Sequence, residues 1–222
     1  VGGYGTIASG KLLTDILAGV LDMHSKSAPK YGSEKSGAPT NFYITLSPEP
    51  IKITNAELED VEVVISPDHR AFSHTNPLRG LAEGGTFIMQ SNATPEEVWT
   101  ELPPAARKTI REKNINFFII DAFGVAKRNA PSAELATRMM GIAFIGAVAG
   151  HVDLVAAGAH ADAILEKIRK QIAKKFGGKG DAAARERRAQ ASDAHGADLL
   201  TDIAPDDFFQ SEYYRVFYSQ IG

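Results

Sequence analysis

The run from Ile115 to Ile120, ending NFFII and closed by Asp121, sets the tightest limit on how this chain can fold. An apolar run of that length does not alternate between a wet and a dry face. It fits a strand buried on both sides, which belongs in a parallel sheet covered by helices. Parallel strands need crossovers, and helical stripes stand on either side of this one. Thr94 is a good N-cap for PEEVW, with Pro95 in the first helical position, and Ala105 to Lys113 extends as a second helix. A long helix is expected from about Ser132 to Val148, and another from about His160 to Phe176.

Upstream, Leu13, Ile16, Leu17, Val20 and Leu21 form one apolar stripe and predict a helix over Leu12–Met23. Ser25 to Pro39 reads as a polar loop. Asn41–Leu46, Val61–Ile65 and Gly85–Gln90 read as strands, each bounded by Pro or Gly. Strands alternating with helices predict an α/β domain over residues 1–180, with an open, doubly wound, mainly parallel sheet and helices on both faces. With 222 residues, 44% of them hydrophobic, the chain can fill such a core. The composition changes after Gly177: a Gly-Gly-Lys-Gly turn precedes an alanine-rich charged helix, Asp181–His195, and an aromatic tail. Residues 181–222 are therefore expected to form a helical and aromatic C-terminal extension. Its six aromatics in the last 15 residues pack either on their own domain or on another chain.

Charge and cysteine content exclude several classes. A net charge of −3 gives no reason to expect nucleic acid, and zero cysteines forbid disulfides and iron–sulfur ligation by this chain. No stretch approaches the roughly 20 apolar residues of a membrane helix. His69, His74, His151 and His160 are too scattered to suggest a metal site, and no Ser-His-Asp set stands out. The sequence begins without Met inside a glycine-rich loop, so a preceding strand is expected upstream.

That opening, VGGYGTIASGK, is a near miss for two phosphate motifs. A Walker A loop would have Ser or Thr after Lys11, where this chain has Leu12. A dinucleotide fingerprint wants an acidic residue at the tip of a second strand, and Asp22 has the spacing without the strand. What remains is a glycine turn before a helix N-terminus that can accept an anion, with Lys11 expected in the first turn. A second donor set lies in YGSEKSGAPT, where Lys35 and Ser36 are flanked by glycines. Both stretches also read as plain tight turns, with Lys35 a solvated surface charge. Asp121 is read either as a group that orients a loop or as a structural strand-end acid.

The order GYGTIASGK, YGSEKSGAPT, SPEPI, GGTFIMQS, ELP, NFFIIDAFGVA, RMMGIAFIG and KKFGGKG over residues 2–180 resembles the gamma subunit or domain of the 2-oxoacid:ferredoxin oxidoreductases. It is most similar to the domain fused into the single-chain pyruvate enzyme. The resemblance implies a subunit, inactive alone, of a cytoplasmic enzyme of anaerobic metabolism that oxidatively decarboxylates a 2-oxoacid to an acyl-coenzyme A. It implies alpha, beta and ferredoxin-like delta partners that hold thiamine diphosphate, magnesium and iron–sulfur clusters, with ferredoxin or another carrier accepting the electrons. No catalytic residue, metal ligand, nucleic acid or membrane contact is expected of this chain. Carried over by position, the coenzyme A contacts fall on Gly5 and Thr6, on Lys35, Ser36 and Gly37, and on Thr137, which stands where the pyruvate members tend to have Asn. Ala38 replaces a glycine that often follows the Lys-Ser-Gly loop. Two alternatives stand beside this one: a non-catalytic assembly module of the same fold, and a P-loop-like nucleotide binder.

Overall fold

Helix stops and starts along this chain are written in local chemistry, and the computed structural model, which describes residues 6–31, 40–52, 58–129, 133–151, 166 and 170, shows them in place. The chain divides into two compact units, Val1–Thr14 with His24–Ile145, and Asp15–Met23 with Gly146–Gly222. Helix α1 (Thr6–Leu21) is followed by β1 (His24–Tyr31), β2 (Thr40–Ser47), β3 (Val61–Ser66) and the short α2 (Ala71–His74). Then come β4 (Leu81–Gln90), α3 (Pro95–Glu101), α4 (Pro104–Glu112), β5 (Asn116–Ile120), α5 (Ala122–Asn129) and α6 (Ala133–His151). Of the helix expected over 160–176 only Glu166 and Lys170 are described, both helical and joined by an i,i+4 ion pair of 3.4 Å, and the extension expected over 181–222 lies outside the described residues.

In the first unit β3, β4 and β5 form a parallel sheet in that order. Val64, Phe87 and Phe117 share one rung, so their side chains stand on one face. Phe87 is fully buried there, its ring 5.5 Å from that of Phe72 and stacked 5.4 Å from that of Phe117. Val98 and Leu102, in α3 and just after it, with Ala106 and Ile110 of α4, complete this core together with Leu78, Leu81, Met89 and Ile115. Ile88 points the other way and is also fully buried, so β4 is covered on both faces, as a doubly wound α/β layout requires. Thr94 seals the start of α3 with a capping box: its Oγ1 accepts from Glu97 N at 3.3 Å and Glu97 Oε2 accepts from Thr94 N at 2.9 Å.

Helix α4 ends as its sequence dictates. Asn114 takes the left-handed conformation (φ 49°) and Ile115 N donates back to Ile110 O at 2.9 Å, a Schellman closure. In the second unit Asp22 does the same for α1, with φ 54° and Met23 N donating to Ala18 O at 3.0 Å. The acid whose spacing suggested a ribose contact is thus a helix terminator, a role in which Asp is tolerated because its short polar side chain accepts positive φ.

Three sequence expectations shift. Residues Ser25–Tyr31, read as loop, belong to β1, which pairs antiparallel with β2 from His24↔Ser47 to Tyr31↔Thr40. Lys26, Ser27 and Pro29 disguise the strand; Pro29 is accommodated because β1 is an edge strand with one partner. Helix α1 starts at Thr6, half a dozen residues before the apolar stripe, and takes in the small residues Ala8, Ser9 and Gly10. Finally, the strand buried on both faces is β4, while Phe117 to Ile120 of β5 are half-buried because β5 is the edge of the described sheet. An apolar run signals cover on two faces but says nothing about how many strands lie beside it. No helix among the described residues is long and apolar enough to cross a membrane.

Candidate functional site

Two close approaches to α1 organise the surroundings of the residues singled out by sequence. At Gly10 the helix backbone lies against the ring of Phe42 in β2, so close that a Cβ there would stand 2.7 Å from Cγ and 2.8 Å from Cε1. One residue earlier, Ser9 sits against Gly141 of α6: a Cβ on Gly141 would collide with Ser9 Oγ and lie 3.5 Å from Ser9 Cα. Glycine in a helix interior costs about 0.5–1 kcal/mol relative to alanine, so both positions trade helix propensity for contact. Thr14 Oγ1 donates to Gly10 O at 2.8 Å, giving that carbonyl a second partner beside the Phe42 seat.

These two contacts gather three elements. Thr6 opens α1 one turn, about 6 Å along the axis, before Gly10 and on the same face. Thr137 lies on α6 one turn before Gly141. Thr40, where β2 begins, is two residues or roughly 7 Å along the strand from Phe42, and it pairs with Tyr31 across the hairpin. The segment 32–39 that joins them carries Lys35, Ser36 and Gly37. Those three residues and Gly5 lie outside the described residues, while Thr6 is half-buried. Lys11, expected in the first turn, is exposed in the second, about 7.5 Å along the axis from Thr6, because the helix begins before the glycine turn was expected to end.

The carboxyl ends of the parallel strands, where ligands of open α/β sheets usually sit, are closed by their own polar groups. Asp121 Oδ1 accepts from Gly124 N at 2.8 Å and from Gln90 Nε2 at 3.3 Å; Gln90 Oε1 accepts from Phe123 N at 2.9 Å. Two of the donors that the start of α5 would otherwise leave unpaired are therefore taken by protein. Asp121 is a helix cap, and a Cβ on Gly124 would collide with its carboxylate. Gln90, only 8% exposed, was invisible as a partner in the sequence because its bond spans 33 residues. Changing Gln90 to Leu leaves Phe123 N without its acceptor and should cost about 1–3 kcal/mol in urea unfolding. An unchanged midpoint would show that this bond contributes nothing. Phe123, 43% exposed, sits at this edge with its backbone held by Gln90.

Among the described residues no three His, Asp or Glu side chains come together as a metal site. The signal that would have found Gly10 and Gly141 is an isolated glycine inside a helical pattern, which marks close packing. What packs there is set by residues 32 and 132 positions away, Phe42 and Ser9, and no local pattern names them.

The family model for pyruvate ferredoxin/flavodoxin oxidoreductase matches residues 1–192. The pyruvate:ferredoxin oxidoreductase of Moorella thermoacetica is 27% identical over 182 residues, which are 82% of this chain and 15% of that protein. The pyruvate-flavodoxin oxidoreductase of Rhodospirillum rubrum is 28% identical over 177 residues, 79% of this chain and 14% of its own length. The chain thus spans about a seventh of the curated relatives it matches. Among solved structures, pyruvate oxidoreductase subunit PORC of Thermotoga maritima superposes with a TM-score of 0.52 at 20% identity, covering 78% of this chain and 80% of that one. The gamma subunit of a keto/oxoacid ferredoxin oxidoreductase from Geobacter sulfurreducens gives 0.50 at 16% identity, over 79% of this chain and 85% of that one. The fold of this chain is that of these two subunits, and by the family model that covers most of its length it belongs to the pyruvate ferredoxin/flavodoxin oxidoreductase family.

Proposed function

We propose that this chain is the gamma component of an oxidoreductase complex that oxidatively decarboxylates a 2-oxoacid to an acyl-coenzyme A, and that its own task is to hold coenzyme A. The observation that carries the reading is the pair of contacts on α1. Through Gly10 and Ser9, α1 lies against Phe42 of β2 and Gly141 of α6. Of the six residues proposed to touch coenzyme A, Thr6 lies on α1 and Thr137 on α6, while Gly5, Lys35, Ser36 and Gly37 lie outside the described residues.

The chemistry of each is distinct. Thr6, where α1 begins, offers a backbone N–H at the positive end of the helix, which suits a phosphate oxygen, and Gly5 immediately precedes it in sequence. Lys35 supplies a positive charge, and Ser36 and Gly37 supply a hydroxyl and a backbone N–H. Thr137 offers a hydroxyl from α6. Coenzyme A needs anion donors but no magnesium-bound γ-phosphate, which is consistent with Leu12 standing where a Walker loop places its magnesium ligand. The names of the matched relatives support pyruvate as the 2-oxoacid and ferredoxin or flavodoxin as the acceptor. Alpha, beta and ferredoxin-like delta chains would hold the thiamine diphosphate, magnesium and iron–sulfur clusters; thiamine diphosphate supplies the electron sink for decarboxylation when bound. This chain binds and orients; it contributes no reacting group.

Lys35→Ala tests the reading in the assembled complex. A charge-assisted hydrogen bond contributes about 1.5–3 kcal/mol, so the Michaelis constant for coenzyme A should rise by about 10- to 150-fold. The turnover number at saturating coenzyme A should be unchanged, since binding and transition state lose the same contact. An unaltered Michaelis constant in a fully assembled complex would replace this function with that of an assembly module.

A further inference from the structure

We propose that β2 is a self-association edge: the chain forms a two-fold dimer in which β2 of one copy pairs antiparallel with β2 of a second, making a four-stranded sheet in the order β1, β2, β2, β1. The inference is independent of the coenzyme A reading above. Among the described residues β1 and β2 form a sheet of two strands, so each strand has one edge that the other does not fill. The two edges are built differently. β1, HSKSAPKY, carries Lys26, Pro29 and Lys30, residue types that keep an edge from pairing with a stray strand. β2, TNFYITLS, has eight residues with no charge and no proline, and Phe, Tyr, Ile and Thr among them favour strands. An edge so long and unguarded is a template for another strand. A two-stranded pair is also marginal in water, and adding strands relieves that weakness.

A second copy is the occupant these residues favour. Two-fold pairing brings identical segments together, so any charge near the axis would meet its own kind, and β2 has none. Strand alternation puts Phe42, Ile44 and Leu46 on the face that meets α1 at Gly10, with Asn41, Tyr43 and Thr45 on the other. Directly opposed residues of an antiparallel pair stand on the same side of the sheet, so the axis must pass through a residue and not between two. Placed at Tyr43, it sets Phe42 against Ile44 of the second copy, Asn41 against Thr45 of the second copy, and the two Tyr43 side chains against each other. Aromatic pairs and aromatic–β-branched pairs are favourable cross-strand combinations. Each Phe42 stays on its own α1, both on one side of the sheet, and the new pairing adds about one backbone hydrogen bond per residue pair. What is left outside is β1 on either flank, with its lysines and proline, so growth stops at two.

The test uses the full chain, which has no cysteine, so one introduced thiol reports one position. Tyr43→Cys should give a covalent dimer on mild oxidation, because opposed Cα atoms of an antiparallel pair are about 4.5–5.5 Å apart, within reach of a disulfide. Thr45→Cys, about 14 Å from its own counterpart in this register, and Lys26→Cys on β1 should not cross-link. In analytical ultracentrifugation the parent chain should sediment at twice its own mass. Tyr43→Lys opposes two like charges and should raise the dimer dissociation constant on the order of tenfold. Mixing it with Tyr43→Glu should restore a mixed dimer, a rescue that a merely damaged hairpin would not show. A monomeric parent overturns the proposal and leaves the edge to a strand of another subunit. So does a dimer that Tyr43→Lys leaves intact, or one in which Thr45→Cys or Lys26→Cys cross-links as readily as Tyr43→Cys. None of these outcomes bears on the Lys35→Ala result, so the two readings stand or fall separately.

Discussion

Replacing Phe87 by alanine lowers the stability of the intact chain by about 3–5 kcal/mol, the range for deleting a fully buried aromatic ring. No part of Phe87 reaches solvent, and its ring has an aromatic neighbour on either side, Phe72 at 5.5 Å and Phe117 at 5.4 Å. Such pairs add about 0.5–1.5 kcal/mol to the burial of area alone. The site also resists collapse, since Val64 and Phe117 are fixed on the flanking strands at the same rung. Urea unfolding should show a lower midpoint with an unchanged slope, meaning a loss of stability without a change in the surface exposed. Phe87→Leu retains much of the volume and should cost appreciably less. A Phe87→Ala midpoint shifted by under about 1 kcal/mol would mean that the sheet is not held by this face.

Gly80→Ala should cost about 2–5 kcal/mol, from two causes that add. Gly80 has φ 78°, where an L side chain pays about 1–2 kcal/mol for its Cβ. That Cβ would also lie 2.6 Å from the carbonyl oxygen of Glu59 and 3.3 Å from its carbon. The obstacle is backbone and cannot rotate aside, and Gly80 O is itself tied by Val61 N at 2.8 Å at the start of β3. Overpacking of this kind typically adds about 1–3 kcal/mol. Gly84→Ala is the control, because its φ is 70° but nothing lies within 4 Å of the added carbon. The difference between the two variants in thermal or urea unfolding measures the collision alone. Equal losses would show that the loop before β3 yields freely.

What could be read from the sequence was local. Thr94, Pro95 and Glu97 announce α3 because every partner of the capping box lies within three residues. The α6 helix and the strands β3 to β5 were visible through periodicity and Pro or Gly boundaries. The hairpin strand β1 was hidden because its stability comes from pairing with β2 and from Phe42 resting on α1, not from its own Lys, Ser and Pro residues. The candidate site divides the same way. Glycines and Lys35 draw attention in the sequence, and the order of motifs carries the family. That Gly10 faces Phe42, that Gly141 faces Ser9 and that Gln90 closes the cap of α5 are matters of tertiary contact. Asp22 shows the converse: a spacing that fits a cofactor motif was fulfilled by a helix stop.

The core around Phe87 has a further property in its order along the chain. All its members fall between Val61 and Ile119, and β3, β4 and β5 pair in the sequence in which they are synthesised. Each pairing closes a modest loop, so the entropic cost of joining strands is met in short steps instead of one long-range closure. A chain emerging from the ribosome has delivered the whole of this sheet and its α3–α4 cover before any of α6 appears. The nascent protein can therefore assemble the Phe87 side of its core while the helix that meets Ser9 is still inside the exit tunnel.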